Sequence, residues 1–439
     1  MESGAALRIL ATNDLGAALV PMPTSYGESG TCAGIAELLE REWARQPTIW
    51  LDSGDLVVGS PAHPLRGARP WADVARLPIA AAAAGNHEFD DGVPALREVA
   101  SSLPFPVLCA NVDVGLPGSA LLETGVGPLG LIGLTHPQSH RHSRAPEPVD
   151  DWPERVGSLA RELREEGARW VVALLHDGVD WWPDGPIGTR CDRLTAVAEP
   201  WAAQVDLILG GHTQAEWVGA LGGTPAGHAH PYAASVLVVD LLTRPIVRGT
   251  LPVPELRPRG SSPAIEVTDA AAERVVAESA RTWVARTGAR HYLPDLIADA
   301  LRAATGADAA LVVPNVHSTQ APVDGATAAL CAGPVTELDL VRLFDVPDDR
   351  PVVVEVGEGE LRAAVHAHAA TANPGARDAD DVWWNWCRMP AAVSTAVDTP
   401  ASVAVMPNVL PVLGELLDRE VGGEVAGVGA REALVRALG

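Results

Sequence analysis

Positive charge is scarce in this 439-residue chain. Lysine and arginine together number 32 against 56 aspartates and glutamates, which gives a formal net charge of -24. A chain of this charge, without a long basic run, is poorly suited to bind duplex nucleic acid or an anionic membrane surface. A small anionic substrate stays compatible with the composition, because a bound metal ion supplies local positive charge.

Cysteines and long apolar runs are also few. The five cysteines are scattered and lack CxxC spacing, namely Cys32, Cys109, Cys191, Cys331 and Cys387. This pattern predicts reduced thiols rather than a disulfide framework. Residues 1–7 lack a basic segment followed by a long apolar one, and no apolar run approaches the roughly 18 residues of a membrane span. We therefore expect a cytoplasmic protein that does not insert into membranes.

The composition and the alternation of patterns indicate an α/β protein. Apolar residues make up 47% of the chain and charged residues 20%, which is typical of a globular protein with a large core. Helical spacing of apolar residues predicts helices over 34–45, 94–101 and 154–166. Apolar runs predict strands over 7–11, 47–51, 77–84, 107–111, 130–135, 170–175, 205–209 and 235–241. Such alternation favours layers of helices on sheets.

The second half of the chain has a different organisation. Several prolines and glycines over 243–263 predict a linker, and 269–286 has the pattern of an acidic, alanine-rich connecting helix. We accordingly expect a first domain over 1–248, a linker and connecting helix over 249–289, and a second domain over 290–439. No internal repeat is visible, and the acidic run 378–381 is interpreted as a solvated loop.

Polar residues with metal-binding or phosphate-binding chemistry follow five of the predicted strands. Asn13 and Asp14 follow the first strand, and Asp55 and Asn86 follow the next two at short distance. His176 comes directly after strand 170–175. His212 and Gln214 follow strand 205–209. Carboxylate, imidazole and amide groups at neighbouring strand ends are the ligand types of a divalent metal site.

The set of motifs resembles the calcineurin-like metallophosphoesterases. It is closest to their 5'-nucleotidase branch, which includes UDP-sugar hydrolases and thiosulfohydrolases. The matching segments are Thr12-Asn13-Asp14, Gly54-Asp55 with Gly59-Ser60-Pro61, Gly85-Asn86-His87-Glu88-Phe89-Asp90, the strand-end His176, and Gly210-Gly211-His212-Thr213-Gln214. The resemblance implies a four-layer αββα domain, in which two mixed sheets pack face to face between helices, and a smaller α+β C-terminal substrate domain.

The resemblance also implies a metal site with one or two divalent ions, Mn, Zn or Fe. Asp55 would bridge two ions, and Asn86, His176 and His212 would complete the second site. Asp14 and Gln214 would belong to the first site. Two such ions can hold a phosphate and activate a water. A single isolated histidine would more often satisfy a hydrogen bond in the core, but His176 and His212 occur in register with Asp55 and Asn86.

His87 and Asp90 form a separate predicted pair. In the family, the histidine after the metal-binding asparagine contacts the phosphate, and it stabilises charge or protonates the leaving oxygen. An aspartate three residues later orients it. A neighbouring carboxylate raises the pKa of a histidine and favours the imidazolium. The alternative is that Asp90 only caps a helix at the surface.

The first metal motif departs from the family pattern. The family has Asp-x-His after the first strand, whereas this chain has Asp14-Leu15-Gly16. Loss of the imidazole leaves oxygen ligands and predicts weaker binding of soft transition metals. Three interpretations follow: one tight and one loose metal, a single metal, or replacement by another histidine. His228 and His230 are the first candidates for such a replacement, and His140 and His142 the second.

The C-terminal domain departs as well. The nucleotidases carry Asn-Gly-Gly and then an arginine that grips the substrate, but 314–320 of this chain contains no arginine. Phe344 stands in the family's aromatic position, and the later Gly-Gly-Asp-Gly-aromatic clamp is absent. Trp383, with Trp384 and Trp386, offers another aromatic face, although a packing role is equally consistent. The candidate substrate contacts are therefore Asn86, His87, Phe344 and Trp383.

These features predict a metal-dependent hydrolase of a small anionic phosphate ester. A nucleotide is the family default, and a modified nucleotide or a non-nucleotide phosphate fits the altered clamp almost as well. One alternative is a different hydrolysis on the same scaffold, such as cleavage of a thiosulfate ester. The other, motivated by Gly16, is a pseudoenzyme that binds metal without turnover. The charge disfavours nucleic-acid processing, and the sequence gives no oligomeric state.

Overall fold

The computed structural model describes two compact units. The described residues are 7–16, 18, 23–24, 27–28, 30–57, 69–141, 143–179, 192–213, 216–253, 274–284, 290–312, 329–344, 349–371 and 392–439. The described parts of 7–253 form the first unit, except for a short hairpin within 23–28 that groups with the second. The described parts of 274–439 form the rest of the second unit.

Fourteen strands occur in the described parts of 7–253. They are β1 (Leu7–Thr12), β2 (Pro23–Thr24), β3 (Gly27–Glu28), β4 (Thr48–Asp52), β5 (Ile79–Ala83), β6 (Val107–Leu108), β7 (Ser119–Leu122), β8 (Leu129–Leu134), β9 (Trp170–Leu175), β10 (Leu207–Leu209), β11 (Trp217–Leu221), β12 (Thr224–His228), β13 (Ser235–Leu241) and β14 (Pro245–Pro252). The helices of this region are α1 (Cys32–Trp43), α2 (Arg69–Val74), α3 (Val93–Ser102), α4 (Trp152–Glu165) and α5 (Asp192–Ala198). The helices and strands predicted up to residue 241 are present, most with ends shifted by one or two residues.

Two six-stranded mixed sheets organise the first unit. One has the order β14-β13-β1-β4-β5-β6 and the other the order β11-β12-β10-β9-β8-β7. Strands β1, β4, β5 and β6 are parallel neighbours, as are β8, β9, β10 and β12. Parallel strands that lie side by side end at the same edge of a sheet, so the residues after them are brought together in space.

The core lies partly between the two sheets. One buried cluster contains apolar side chains from both sheets, including Ile9, Leu51, Leu131 and Leu174. A second cluster lies on the other face of the first sheet, where Leu10 and Trp50 pack against Ile35 of α1. Adjacent residues of β1 therefore face different layers, as the alternation of side chains along a strand requires. The predicted αββα architecture is confirmed.

Helix α4 buries the apolar side chains on one of its faces. In α4 the buried residues Val156, Ala160 and Leu163 recur at helical spacing. Helix α1 begins at the side chain of Thr31, which accepts a hydrogen bond from the Gly34 backbone N–H at 3.1 Å. A capping oxygen of this kind satisfies one of the backbone donors that a helix start leaves unpaired.

The predicted linker over 243–263 is wrong for its first part. Strand β14 occupies Pro245–Pro252 and pairs antiparallel with β13, at the edge of the first sheet. Both prolines stand at the ends of this edge strand, where a missing N–H is tolerated. Gly249 has φ +109° opposite the register shift between Val238 and Val239. This glycine therefore serves a bulge rather than a linker. Residues 254–263 lie outside the described residues.

The second unit contains nine strands and five helices among its described residues from 274 onward. The strands are β15 (Val275–Ser279), β16 (Trp283–Val284), β17 (Ala309–Val312), β18 (Ala329–Leu330), β19 (Gly333–Thr336), β20 (Val352–Glu355), β21 (Ala392–Thr395), β22 (Ser402–Val405) and β23 (Gly423–Val425). The helices are α6 (Leu293–Thr305), α7 (Glu337–Leu343), α8 (Glu360–Thr371), α9 (Leu410–Leu417) and α10 (Ala430–Leu438). A five-stranded sheet has the order β21-β17-β22-β20-β23, so this unit is α+β as expected.

The predicted connecting helix over 269–286 is wrong where the structure describes it. Residues 274–284 contain β15 and β16, and β15 pairs antiparallel with β19. The alanines and charged residues of this segment favour a helix locally, but Val275 and Val276 are β-branched and the pairing with a distant strand decides the outcome. Among the helices that the structure describes, none combines the length and the apolar character that a bilayer crossing requires.

Candidate metal centre

The polar residues that follow the parallel strands of both sheets meet at one place in the first unit. Asp14, Asp55 and Asn86 follow β1, β4 and β5 of one sheet, and His176 and His212 follow β9 and β10 of the other. All five residues are buried, with at most 5% of their surface exposed. Contacts across the two sheets, described below, join them into one site.

His176 is held in a single orientation. Its Nδ1–H donates to the Ser53 backbone carbonyl at 2.8 Å. The other ring nitrogen, Nε2, lies 3.0 Å from Asp55 Oδ2 and 3.1 Å from Asn86 Oδ1. Because Nδ1 carries the proton in this arrangement, Nε2 presents a lone pair to two oxygens in the neutral ring. Only a proton or a metal cation at this position makes the three groups compatible.

His212 reaches the same point from the neighbouring strand. Its Nδ1 lies 2.9 Å from Asn86 Oδ1, and its backbone N–H donates to Asp14 Oδ2 at 2.8 Å. The backbone of His212 has φ +70°. A left-handed conformation is uncommon in residues other than glycine, and it tends to occur where surrounding structure enforces it at functional sites.

Asp55, His176 and His212 form the group of described residues that could hold a metal ion. One ligand atom from each lies within 4.8 Å of the others. The Asn86 amide oxygen contacts both imidazoles. One carboxylate, two imidazoles and an amide oxygen are suitable ligands for Zn, Mn or Fe. The residues therefore fit a divalent cation. This cation would also relieve the repulsion between the lone pair of His176 Nε2 and the oxygens of Asp55 and Asn86 that face it.

Asp14 lies beside this group rather than within it. Its Oδ2 accepts hydrogen bonds from the Asn13 side-chain amide and the His212 backbone, both at 2.8 Å. Asp14 and Asp55 have φ +49° and +59°, so two carboxylates of the site also adopt the left-handed conformation. The Asn13 side chain forms two hydrogen bonds with the backbone of Ala229: its NH₂ group donates to the carbonyl, and its oxygen accepts from the N–H. These bonds fix the tip of β1 against the end of β12.

Two glycines allow the tips of β4 and β5 to approach. A Cβ atom on Gly54, which has φ +103°, would lie 2.6 Å from the Gly85 backbone nitrogen and 2.8 Å from His176 Nδ1. A Cβ atom on Gly85 would lie 2.2 Å from Asp55 Oδ1. Distances this short exclude any side chain at either position, so the glycines are required for Asp55 to reach His176.

Glu88 bridges the same two loops. Its carboxylate is buried and accepts hydrogen bonds from the backbone N–H groups of Gly85 at 2.6 Å, Asp55 at 2.9 Å and Leu56 at 2.8 Å. The loops that carry Asp55 and Asn86 are thereby joined through one side chain. Glu88 belongs to a motif recognised in the sequence, but sequence reasoning assigned it no role. The only sequence signal for such a role was the position of Glu88 between two predicted site residues, His87 and Asp90.

His87 and Asp90 form the predicted pair. His87 Nδ1 and Asp90 Oδ2 are 2.9 Å apart, and both side chains are partly exposed. The His87 backbone N–H donates to Asp55 Oδ1 at 2.9 Å, which places the pair directly beside the metal group. Burial would lower the pKa of His87, but the negative charges of Asp55 and Asp90 outweigh it and raise this pKa to about 9. The adjacent carboxylate of Asp90 therefore favours the protonated form of His87.

The site concentrates negative charge away from water. Burial and the charge of Asp55 raise the pKa of Asp14 to about 6 and that of Glu88 to about 7. Burial also raises the pKa of Asp52 well above its usual value. Burial would raise the pKa of Asp55 too, but the positive charges of His176 and His87 in their protonated forms hold it below its ordinary value. An excess of carboxylates in a buried site is the environment that a metal cation neutralises.

The structure places the proposed replacement histidines away from the metal group. His228 Nε2 accepts a hydrogen bond from the Val179 backbone at 3.4 Å, and its ring lies 6.0 Å from that of Trp217. His230 Nε2 lies 3.7 Å from Glu216. Neither belongs to the group that could hold a metal among the described residues, and neither does His140, on a 3-10 turn after β8.

Gly16 has a conformational role. Its φ is +51°, and its backbone N–H donates to the Asp55 carbonyl at 3.0 Å. The glycine thus joins the tips of β1 and β4 in a conformation that L residues rarely adopt. At the position where the family pattern has a histidine, this chain therefore has a glycine, which adopts the positive φ of this backbone without strain.

Several predicted positions fall elsewhere. Phe344 is completely buried at the end of α7, so its ring offers no exposed face for stacking on a base. The assignment of Phe344 as a substrate contact stays a prediction. Further predictions lie outside the described residues, namely those for Gln214, Trp383, His142, the segment 59–61 and the acidic run 378–381.

His136 was missed by sequence reasoning. It is buried, it follows β8, and its ring stacks on that of His212 with the centroids 4.2 Å apart. Strand 130–135 was predicted, and a histidine directly after it is the same signal that identified His176. Four neighbouring parallel strands, β8, β9, β10 and β12, thus each end at or near a histidine, at positions 136, 176, 212 and 228.

Comparison with known proteins agrees with this geometry. The family model of the calcineurin-like phosphoesterases matches residues 7–216. Those residues contain every member of the metal group. Residues 7–216 of the chain therefore match a calcineurin-like phosphoesterase domain, and several of the relatives that resemble this stretch are 5'-nucleotidases.

One such relative is a 5'-nucleotidase of Vibrio cholerae. It is 28% identical over 228 residues, which span 47% of this chain and 40% of the Vibrio protein. The Escherichia coli protein UshA is 28% identical over 211 residues, which span 43% of this chain and 37% of UshA. The chain thus matches about two fifths of the length of these relatives.

Solved structures extend the similarity in fold. A 5'-nucleotidase precursor from Thermus thermophilus aligns with a TM-score of 0.70, 20% identity and coverage of 99% of this chain and 96% of that one. At this identity the likeness concerns the fold.

Proposed function

We propose that the protein is a metal-dependent phosphoester hydrolase that acts on nucleotides or closely related small phosphorylated metabolites. The observation that carries the proposal is the meeting of Asp55, Asn86, His176 and His212 beside the His87–Asp90 pair. The phosphoesterase domain and the names of its relatives support this reaction class, and 5'-nucleotidases among them support a nucleotide.

Each group has a part in such a reaction. Asp55, Asn86, His176 and His212 would hold a divalent cation, with Mn, Zn or Fe as candidates. A bound cation of this kind polarises a phosphoryl oxygen and lowers the pKa of water. With Nδ1 of His87 on Asp90, Nε2 is the nitrogen that can reach the substrate. As an imidazolium it would stabilise charge on the phosphoryl group or protonate the leaving oxygen.

We further propose that binding of a first metal beside Asp14 is weak. The Asp14-Leu15-Gly16 segment lacks an imidazole, and the replacement candidates His228 and His230 contact Val179 and Glu216 instead. Asp14 Oδ2 is already engaged by two N–H donors. One firmly held ion and one exchangeable ion fit this arrangement better than two equivalent ions.

The experiment is a phosphate-release assay on metal-free protein loaded with Mn²⁺, Zn²⁺ or Fe²⁺ in turn. The substrate panel contains nucleoside monophosphates, sugar nucleotides, non-nucleotide phosphate esters and a thiosulfate ester. We expect hydrolysis of a nucleotide by the wild type and none by His176→Ala. The control variant His291→Ala, which removes an imidazole that contacts Trp283 in the second unit, should keep full activity.

Other outcomes would replace the proposal. Cleavage of the thiosulfate ester alone would move the reaction to the alternative hydrolysis. Metal uptake without turnover of any substrate would identify a pseudoenzyme. Full activity of His176→Ala would refute the metal centre as the catalytic site.

A further inference from the structure

His136 contacts the metal group without belonging to it. It is 2% exposed, and its ring stacks on that of His212 with a centroid distance of 4.2 Å and an interplanar angle of 27°. His176 approaches the same His212 ring edge-on, at 5.2 Å and 67°. The His212 imidazole therefore has one imidazole on its face and another at its edge.

The orientation of His136 is itself fixed. The Gln138 backbone N–H donates to His136 Nδ1 at 3.2 Å, so Nδ1 carries the lone pair of the neutral ring. The proton then resides on Nε2, which lies 3.8 Å from Asp177 Oδ1. This distance is longer than a hydrogen bond but short enough for attraction between the N–H dipole and a buried carboxylate.

Asp177 is a rigid anchor for this contact. Its carboxylate is completely buried and receives Arg193 Nη1 at 2.9 Å and Nη2 at 2.7 Å, together with the Gly178 backbone N–H at 2.8 Å. A bidentate arginine–carboxylate pair fixes both partners in one plane. Arg193 comes from α5, so a helix outside the metal group is connected through Asp177 and His136 to His212.

We propose that His136 is a positioning residue for His212, held in place by the Asp177–Arg193 pair. The inference rests on the proposed function, since it takes His212 as a metal ligand. Rotation of the His212 ring would carry Nδ1 away from Asn86 Oδ1, 2.9 Å distant, and the stacked face of His136 blocks that rotation. The stack also suits a metal-bound imidazole, because an electron-poor ring is attracted to the face of a neutral one.

The test measures metal affinity rather than turnover. Metal-free protein is titrated with Zn²⁺ against a chelator of known affinity, and the visible spectrum of the Co²⁺-loaded protein reports the ligand geometry. We expect His136→Ala to bind Zn²⁺ about 10–100-fold more weakly, as is typical when a partner of a metal ligand is removed. His136→Phe keeps a flat ring and should recover most of the affinity and the wild-type spectrum.

Two further variants guard against misfolding. His136→Leu fills the site without a flat ring, so it should fold where the alanine variant does not and still show the weakened affinity. His291→Ala, which removes an imidazole from a ring contact with Trp283, should bind metal as the wild type does.

The outcomes separate this inference from the proposed function. Wild-type affinity in both His136→Ala and His136→Leu would overturn the positioning role alone. Equal weakening in His136→Leu and His136→Phe would also overturn it, because the ring face would then not matter. A wild type that binds metal but hydrolyses no ester would refute only the proposed function, and a wild type that takes up no metal would refute both.

Discussion

Replacement of Glu88 by glutamine tests how the metal ligands are held. Glu88 Oε2 accepts the Gly85 and Asp55 N–H groups, and Oε1 accepts that of Leu56. A glutamine can keep its oxygen at the first position only by turning its NH₂ group towards the Leu56 N–H. One hydrogen bond is then lost to a clash of two donors, and the other two lose the negative charge that their acceptor carries above its pKa of about 7.

The magnitude follows from these three bonds. A hydrogen bond to a charged group contributes about 1.5–3 kcal/mol and one to a neutral group about 0.5–1.5 kcal/mol. Loss of one and weakening of two, offset in part by removing a buried charge, should lower the free energy of unfolding by about 2–4 kcal/mol. For a unit of this size that corresponds to roughly 4–16 °C in Tm.

Differential scanning calorimetry of the metal-free variant measures this effect, and chelator competition measures the accompanying loss of metal affinity. Glu360→Gln is the matched control, because Glu360 also accepts a backbone N–H, that of Gly357 at 2.8 Å, but is exposed to solvent. The control should unfold close to the wild type. A Glu88→Gln protein with unchanged Tm and metal affinity would refute the view that Glu88 joins the two ligand loops.

Three other predictions follow from the site and its surroundings. His87→Ala should keep its metal and lose about 10²–10⁴-fold in turnover, as measured by phosphate release and metal content, because the group it removes acts on the substrate. Gly16→His should lower the concentration of added metal needed for activity, at a cost of about 1–2 kcal/mol in stability, since φ +51° is strained for an L residue. Asp240→Asn should destabilise the protein at pH 7 but much less near pH 3 in urea denaturation. Burial would raise the pKa of Asp240, but ion pairs with Arg8 and Arg248 outweigh this effect and lower the pKa. The ionised carboxylate therefore stabilises the protein at a pH above the pKa of Asp240 in the unfolded chain, and this stabilisation is lost as the pH falls through the lower pKa of the folded state.

Each of these predictions has a contrary result. A His87→Ala enzyme within about threefold of the wild type, a difference near 0.7 kcal/mol in activation free energy, would make His87 structural. An unchanged metal requirement in Gly16→His would show that the missing imidazole does not limit the first site. A stability difference between wild type and Asp240→Asn that stays constant from pH 7 to pH 3 would disprove the ionic contribution.

Local patterns in the sequence determined much of the fold. The apolar runs that became β1, β4, β5, β9 and β10 are largely buried on both faces, so they stand out as continuous hydrophobic segments. The polar residues after them have no role in such a strand, which is why their chemistry can be recognised from residue type and position alone. The same reasoning applies to His136, which directly follows strand 130–135 of the sequence prediction.

Only the tertiary structure decided which of the polar residues at the strand ends come into contact. Asp55 comes from one sheet and His176 from the other, and their 3.0 Å contact depends on the packing of the two sheets. The left-handed backbone of Asp14, Asp55 and His212 likewise has no pattern of its own in the sequence. The approach of the Asp55 loop to His176 also depends on glycines at positions 54 and 85.

Tertiary pairing also overruled two sequence predictions. The segment 245–252, part of a stretch rich in proline and glycine, became the edge strand β14, and 275–279, part of an alanine-rich stretch, became β15. In both cases local propensity amounts to a few tenths of a kcal/mol per residue, roughly, and a ladder of hydrogen bonds to a distant strand outweighs it. The sequence by itself therefore indicated which strand ends have residues with metal-binding or acid–base chemistry, because strand burial and residue type are local properties. Contacts between segments far apart in the chain decided which of these residues meet. Such contacts stack His136 on His212 and place His228 Nε2 against the Val179 backbone instead of the metal group.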